Sequence, residues 1–382
     1  MSSNFVIPDL KQILTGADGT MTVGSAARGE TPVDKTLRAS VIIVNYNGKQ
    51  KLLECLESVG RTLSPDCELI VVDNASSDGS AAAVETQFSD VMLIRSKTNC
   101  GFGSGNNLGV LSSRGKYLVF LNPDTLVESG WLEALLAPFE INDRAGMVTA
   151  RILLADQPDR INACGNSVHL TGLTLCRGMG QPRGALDKPE EVDAVSGAAF
   201  AIRRELFDTL GGFDEDTFLY MEDTDLSLRA RLAGWRCLYA PDSIVLHYYR
   251  LKITPLKVFY QERNRYLMLL KSLKFATLTV LIPAQLLAEV ISWGFVLMSD
   301  RANLRNKLRA YQWVILNWAV IMRKRKLTQS LRQVSDRELL LHTGFRLDFR
   351  QTNHGKIAML AQIIFTPLFL VLRLMTLAVV WW

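Results

Sequence analysis

From Ser40 onward, short β-branched runs alternate with segments of helical period. Val41-Ile42-Ile43-Val44 precedes a helical pattern over 49–59, and Leu69-Ile70-Val71-Val72 precedes one over 79–88. A third strand is predicted at 91–94, then a Gly-rich connection, a helical stretch at 108–113 and a fourth strand at Tyr117-Leu118-Val119-Phe120-Leu121. Strands that are apolar along their whole length are buried on both faces, and their alternation with helices makes the connections right-handed crossovers. The pattern predicts an α/β fold, Rossmann-like, with a mostly parallel sheet covered by helices. A second group follows: a helix at 131–141, strands at 147–154 and 192–202, and a helix at 222–233 stopped by Gly234-Trp235. Residues 158–189 are richer in Gly, Pro and polar side chains and read as a loop, either over a site or as a plain surface excursion. Residues 1–37 carry turn formers and a weak apolar pattern. The chain therefore divides into a leader (1–37), an α/β domain (38–250) and a helical region (251–382).

Charge sets the last region apart. Residues 1–249 hold 22 Lys/Arg against 32 Asp/Glu, whereas 250–382 hold 21 against 6. The basic part also contains long apolar stretches at 276–298 and 357–382, a shorter one at 310–322, and five of the seven tryptophans. Tryptophans at the edges of apolar segments beside Arg323-Lys324-Arg325-Lys326 form the pattern of an anionic membrane surface, and nucleic acid is not expected. A single crossing by 276–298 would place the thirteen Lys/Arg between Arg301 and Lys356 on the wrong side, so an interfacial or re-entrant arrangement is expected. A buried helical core or an oligomer interface would use the same segments. No secretory leader pattern precedes the α/β part, and the six cysteines show no CxxC pair. The first half is expected in the reducing cytoplasm, on the inner face of the cell membrane.

Polar residues cluster where the apolar strands end. The first strand runs into Asn45-Tyr46-Asn47-Gly48, the second into Asp73-Asn74-Ala75-Ser76-Ser77-Asp78-Gly79, and the fourth into Asn122-Pro123-Asp124-Thr125. Each cluster alone is accounted for by turn formation and helix capping. Three of them at three carboxyl ends, where open parallel sheets bind ligands, point to a site. The stretch Thr98 to Gly109, with Asn106, allows close backbone approach, but it is neither a dinucleotide fingerprint nor a P-loop. Glu222-Asp223-Thr224-Asp225 opens a helix, where the charges suit the dipole and Asp225 can pair with Arg229. The aromatic run before it would bury the cluster and raise a carboxyl pKa, giving a usable base. His247 follows Ile244-Val245-Leu246, again at a strand end, and a lone histidine there is also compatible with an ordinary hydrogen-bonded role.

Val44-Asn45-Tyr46-Asn47, Val71 to Ser80, Asn122-Pro123-Asp124 and Tyr220 to Arg229, in that order, resemble the inverting family 2 glycosyltransferases of GT-A fold, most closely their rhamnosyltransferase-like branch. The resemblance runs from about Ser40 to Arg265. It implies that Asp73, with Asn45, Asn47, Asn74 and Asn106 nearby, binds the nucleotide of a dTDP- or UDP-linked sugar. The family's D-x-D element corresponds to Asn122-Pro123-Asp124, of which only Asp124 is acidic, and related members add a histidine that His247 matches. Asp124 and His247 are thus the implied ligands of Mg or Mn. The resemblance places the base at Asp223, with Glu222 and Asp225 orienting the helix or the acceptor. Hydrophobic appendages accompany polyprenyl-linked glycan acceptors in related enzymes, and Arg263, in Gln261-Glu262-Arg263-Asn264-Arg265, would then face an acceptor diphosphate or lipid headgroups, unless it is simply a solvated helix charge.

Two other classes share the layout. A sugar nucleotidyltransferase would carry a Gly-rich phosphate loop directly after the first strand, which Asn45-Tyr46-Asn47-Gly48 does not supply. A catalytically inactive nucleotide-sugar-binding scaffold would lose the base, and Asp223 is present.

Overall fold

The computed structural model describes residues 37–249, 255–299, 303–348 and 356–382, so the expected leader lies, Leu37 apart, outside the described residues. The first elements are β1 (Ala39–Asn45), α1 (Lys49–Gly60), β2 (Cys67–Asp73), α2 (Ser80–Gln87), β3 (Met92–Arg95), α3 (Gly101–Leu111) and β4 (Tyr117–Leu121). Next come β5 (Thr125–Val127), α4 (Trp131–Ile141), β6 (Ala145–Leu154), β7 (Gln157–Ala163), β8 (Asn166–Val168), β9 (Thr174–Cys176) and β10 (Glu190–Glu191). They are followed by β11 (Ala199–Arg203), α5 (Arg204–Leu210), α6 (Glu222–Leu232) and β12 (Arg236–His247).

The strands β4, β1, β2 and β3 lie side by side and parallel, as the buried apolar runs require. Beyond β4 the sheet becomes mixed. β11 enters antiparallel between β4 and β6, and β12 pairs parallel with β6. Two cores lie against the sheet, one containing Ile43, Leu56, Val71, Leu121 and Trp131, the other Ile42, Phe120, Phe200, Phe213 and Leu226.

Three sequence expectations change. The Gly-rich connection is helix from Gly101 onward, because its glycines let α3 settle directly on the sheet. A Cβ at Gly105 would stand 2.7 Å from Val44 Cγ1, and one at Gly109 2.5 Å from Ile42 Cγ2. The strand expected at 192–202 begins only at Ala199; residues 192–198 instead turn beneath α6. The loop expected at 158–189 contains most of β7 together with β8 and β9, the latter two forming a separate antiparallel pair.

The basic region is helical: α7 (Pro255–Ser272), α8 (Phe275–Val280), α9 (Ile282–Ser299), α10 (Leu304–Leu316), α11 (Trp318–Ser330), α12 (Asp336–Leu341) and α13 (Lys356–Val379). The apolar stretch 276–298 is thus divided, with Pro283 at the start of α9. Among the described residues, α13 alone is long and apolar enough to cross a bilayer, with mean hydropathy 1.9 over Met359–Val379. One face of α13, including Phe369 and Leu372, packs with Leu273, Leu281 and Leu340. Its opposite face exposes Leu360, Ile363, Leu374 and Met375. Arg373 donates to Thr343 O at 3.0 Å, and Trp382 Nε1, just beyond the helix, to Thr277 Oγ1 at 2.8 Å, so its carboxyl-terminal part is docked.

Candidate active site

β1 and β2 end in register, Asn45 opposite Asp73, and the loops that follow them interlock. Asn45 Nδ2 donates to Ser76 Oγ at 3.2 Å, and Asn47 N to the same hydroxyl at 2.9 Å. Asn47 Oδ1 accepts from Ser77 N at 2.8 Å, and Asp73 Oδ2 from Ser76 N at 3.1 Å. Asn47 and Ala75 adopt φ of 53° and 64°, so both loops fold back tightly. Asn45 Oδ1, Asp73 Oδ1 and Asn106 Oδ1 are buried without a hydrogen-bond partner. Buried acceptors normally find donors, and these three oxygens have none among the protein's own groups. Asn74 is different. Its amide nitrogen donates to Asn99 Oδ1 and Gly101 O, both at 3.0 Å, while its oxygen accepts from Cys100 N at 3.0 Å, tying β2 to the start of α3.

Beyond β4, Asn122 N donates to Ala198 O at 2.9 Å, and Asp124 O accepts from Tyr248 N at 3.0 Å. The antiparallel pairing of β5 with β12, which sets Thr125 opposite His247, brings the histidine ring to Asp124. His247 Nε2 lies 3.3 Å from Asp124 Oδ1, and His247 Nδ1 lies 2.8 Å from Asn162 Oδ1. The amide oxygen of Asn162 accepts only, so Nδ1 carries hydrogen and, in the neutral ring, Nε2 turns its lone pair toward the carboxylate. Two electron-rich atoms converging in this way suit a cation, and a ligating imidazole is commonly oriented through its other nitrogen. No group of three or more His, Cys, Asp or Glu gathers among the described residues. A hard divalent ion held by Asp124 and His247 would therefore take its remaining ligands from oxygens outside these side chains. Asn162, in β7, carries no sequence signal that would have singled it out.

The acidic helix reaches the same end of the sheet through β11. Gly197 N donates to Asp223 Oδ2 at 2.7 Å, one residue before Ala198, which holds Asn122. Asn166 Nδ2 adds a bond to Oδ2 at 3.1 Å, and Thr224 N and Oγ1 donate to Oδ1 at 2.6 and 3.1 Å. Burial raises the Asp223 pKa, and these four donors oppose the rise. Glu222 is pushed up to about 8 by burial and by the charges of Asp223 and Asp225. Asp225 faces away from this group: it pairs with Arg229 at 2.8 Å and Lys271 at 2.8 Å, both nearly inaccessible to solvent.

Residues 40–211 match the model of Glycosyl transferase family 2. The chain carries a glycosyltransferase family 2 domain. Among similar proteins is the N-acetylglucosaminyl-diphospho-decaprenol L-rhamnosyltransferase of Mycobacterium tuberculosis, 28% identical over 232 residues that make up 54% of this chain and 75% of that protein. The pre-mycofactocin glycosyltransferase of the same organism is 28% identical over 214 residues, 55% of this chain and 42% of that protein. Of solved structures, S. aureus TarS 1-349 in complex with UDP-GlcNAc aligns with a TM-score of 0.52 at 15% identity, over 90% of this chain and 89% of that one. GalNAc-T7 with UDP, GalNAc and Mn2+ aligns with a TM-score of 0.51 at 21% identity, over 61% of this chain and only 48% of that one. The likeness to both structures is one of fold, the GT-A arrangement of sheet and helices.

The glycosyltransferase domain is joined to the helical region by buried charge. Lys271, on α7, pairs with Asp214 as well as Asp225, and Lys324 on α11 pairs with Asp214 and with Asp216 at 2.5 Å. Arg263, expected to face an acceptor or lipid, is instead 4% exposed, and its guanidinium is spent on the carbonyls of Asp216 and Thr217. Its neighbour Asn264, which sequence reasoning passed over, reaches the same segment. Thus Asn45, Asp73 and Asp124 lie at or just beyond the carboxyl ends of β1, β2 and β4, Asp223 beside the residues that lead into β11, and His247 at the end of β12 against Asp124, whereas Asn74, Asp225 and Arg263 are engaged in holding elements together.

Proposed function

We propose that the chain is an inverting glycosyltransferase that moves a sugar, rhamnose in preference to other hexoses, from a dTDP- or UDP-linked donor to a polyprenyl-diphosphate-linked glycan in cell-surface polysaccharide assembly. The observation that carries this reading is the engagement of Asp223 by Gly197, next to the Ala198 carbonyl that holds the start of Asn122-Pro123-Asp124. A carboxylate base and a cation-suited pair thereby flank one strand end, as single displacement at an anomeric carbon requires.

In this reading Asn45, Asp73 and Asn106 receive the N–H and O–H groups of base and ribose with their unpaired oxygens, while Asn47 and Asn74 keep the surrounding loops in place. Asp124 and His247 would hold Mg or Mn, which would offset the negative charge that grows on the departing diphosphate. Asp223 takes the proton of the acceptor hydroxyl. Its four lone-pair positions all have donors, and only the Thr224 hydroxyl can rotate away, so the proton arrives at Oδ1. Burial that raises its pKa makes the carboxylate a stronger base.

The preference for rhamnose and for a polyprenyl-diphosphate acceptor is supported by the mycobacterial relative, whose name states both, and by the exposed apolar face of α13. That face, and separately Arg305, Arg309, Arg323 and Lys326 exposed on α10 and α11, suit an anionic bilayer surface on the cytoplasmic side, where a lipid-linked acceptor would be presented.

Asp223→Asn tests the assignment. Turnover should fall by about 10²–10⁴-fold, the usual contribution of a general base, while the thermal stabilisation produced by UDP or dTDP with Mn persists. Unchanged turnover removes Asp223 from the mechanism.

A further inference from the structure

The segment that delivers Asp223 to its place is held in a conformation L residues avoid. Phe218, Tyr220 and Met221 have φ of 57°, 68° and 66°, and none is glycine. Such backbone persists only where surrounding contacts over-determine it. The carbonyls of Asp216 to Met221 show what does so. Phe218 O accepts from Phe102 N at 2.8 Å, and Met221 O accepts from Asp225 N at 2.8 Å within the helix. The other four are met from α7, with Thr217 O also accepting from Leu219 N at 2.6 Å. Asn264 Nδ2 lies 2.9, 3.1 and 2.7 Å from the carbonyl oxygens of Thr217, Leu219 and Tyr220. Arg263 donates to Thr217 O at 2.8 Å and to Asp216 O.

The orientation of this amide is determined by chemistry. Carbonyl oxygens accept only, so the amide nitrogen must face them, and Arg263 Nε, 2.9 Å from Asn264 Oδ1, requires the oxygen on the other side. Both residues are buried, and the guanidinium lies 4.7 Å over the Trp313 ring and 4.8 Å over that of Tyr260. The clamp is thus built on the helical region and aimed at the segment leading into the acidic helix.

We propose that Asn264, oriented by Arg263, is a positioning residue for Asp223, a role that rests on the reading of Asp223 as the base. By fixing residues 217–221 it sets the amino end of α6 so that the Asp223 carboxylate meets Gly197 and Asn166. The body of α6 is held independently by the pairs Asp225–Arg229 and Asp225–Lys271, so loss of the clamp loosens the start of the helix and leaves the rest in place.

Asn264→Asp, nearly isosteric but without donors, and Arg263→Lys, which keeps charge but loses the planar fork, test this in the full-length protein. In both, hydrogen exchange in peptides covering 213–226 should quicken by about 10-fold or more while β1 to β4 remain protected. The thermal shift with UDP or dTDP plus Mn should be retained, kcat should fall by about 10-fold or more at a donor KM within about twofold of wild type, and the acid limb of the kcat pH profile should move. A purely structural defect would lower the active fraction without moving that limb. Wild-type exchange over 213–226 in both variants overturns the clamp, and faster exchange with unaltered kcat and pH profile overturns the positioning role. The Asp223→Asn result is read separately, so failure of the base assignment is told apart from failure of the clamp.

Discussion

Gly197 and Asp223 are in contact through both backbone and space: the glycine N–H bonds to Asp223 Oδ2 at 2.7 Å, and a Cβ at position 197 would stand 3.2 Å from that same oxygen. A side chain at 197 requires the carboxylate to give way by a few tenths of an ångström. Gly197→Ala is therefore expected to preserve the fold and to lower kcat by up to about 10-fold, since a displacement of a few tenths of an ångström partly misaligns a catalytic group. Steady-state kinetics beside thermal denaturation checks this; wild-type kcat would show that the oxygen is free to move.

Glu222 gives stability a pH dependence of definite sign. Burial, followed by the Asp223 and Asp225 charges, raises its pKa from the ordinary 4.5 to about 8, so in the folded state it retains a proton that the unfolded chain has released. Its contribution is fully present below pH 4.5 and is lost as pH rises to about 8. Glu222→Gln should flatten the fall in Tm between pH 5 and pH 8.5 and leave the variant more stable than wild type at the upper end by up to a few kcal/mol. Parallel Tm-versus-pH curves for the two proteins would contradict the assignment.

Asn162 orients His247 through a 2.8 Å bond to Nδ1. Asn162→Leu keeps both proposed ligands but lets the ring turn, and a lost orienting partner typically weakens a metal site about 10–100-fold. Titration of Mn in the presence of UDP, followed by thermal shift, should move by that amount, and His247→Ala should abolish the Mn-dependent part. Equal Mn dependence in all three proteins would remove His247 from the site.

Lys271 is 1% exposed and shared between Asp214 and Asp225. Against the upward push of burial, Lys271 and Lys324 hold the Asp214 carboxyl far below its usual range. Lys271→Met would leave buried carboxylates short of a cation, and breaking such a pair costs about 3–5 kcal/mol. Urea denaturation should record that loss. A midpoint within error of wild type would mean the carboxylates find other partners.

Much of the parallel half was readable from local pattern. Fully apolar runs such as Val41 to Val44 can be buried on both faces only inside a covered parallel sheet, and the polar residues at their ends, Asn45, Asp73 and Asp124, mark the ligand-binding end. The glycines of α3 look like a connection in the sequence because glycine disfavours helix locally. Their benefit, close approach to Ile42 and Val44, exists only once the sheet is formed.

The order of strands and helices, the acidic character of Glu222-Asp223-Thr224-Asp225 and the basic, apolar nature of the last third are properties of neighbours in the chain, and the sequence alone determined them. Which carboxylate meets a glycine N–H, which asparagine turns a histidine and which arginine is buried were decided by tertiary structure. Asp223 meets Gly197, His247 meets Asn162 and Asn264 meets Tyr220 across 26, 85 and 44 positions, respectively. Contacts at such separation depend on the mixed pairing of β11 and β12 and on the packing of α7, for which no local periodicity gives a sign.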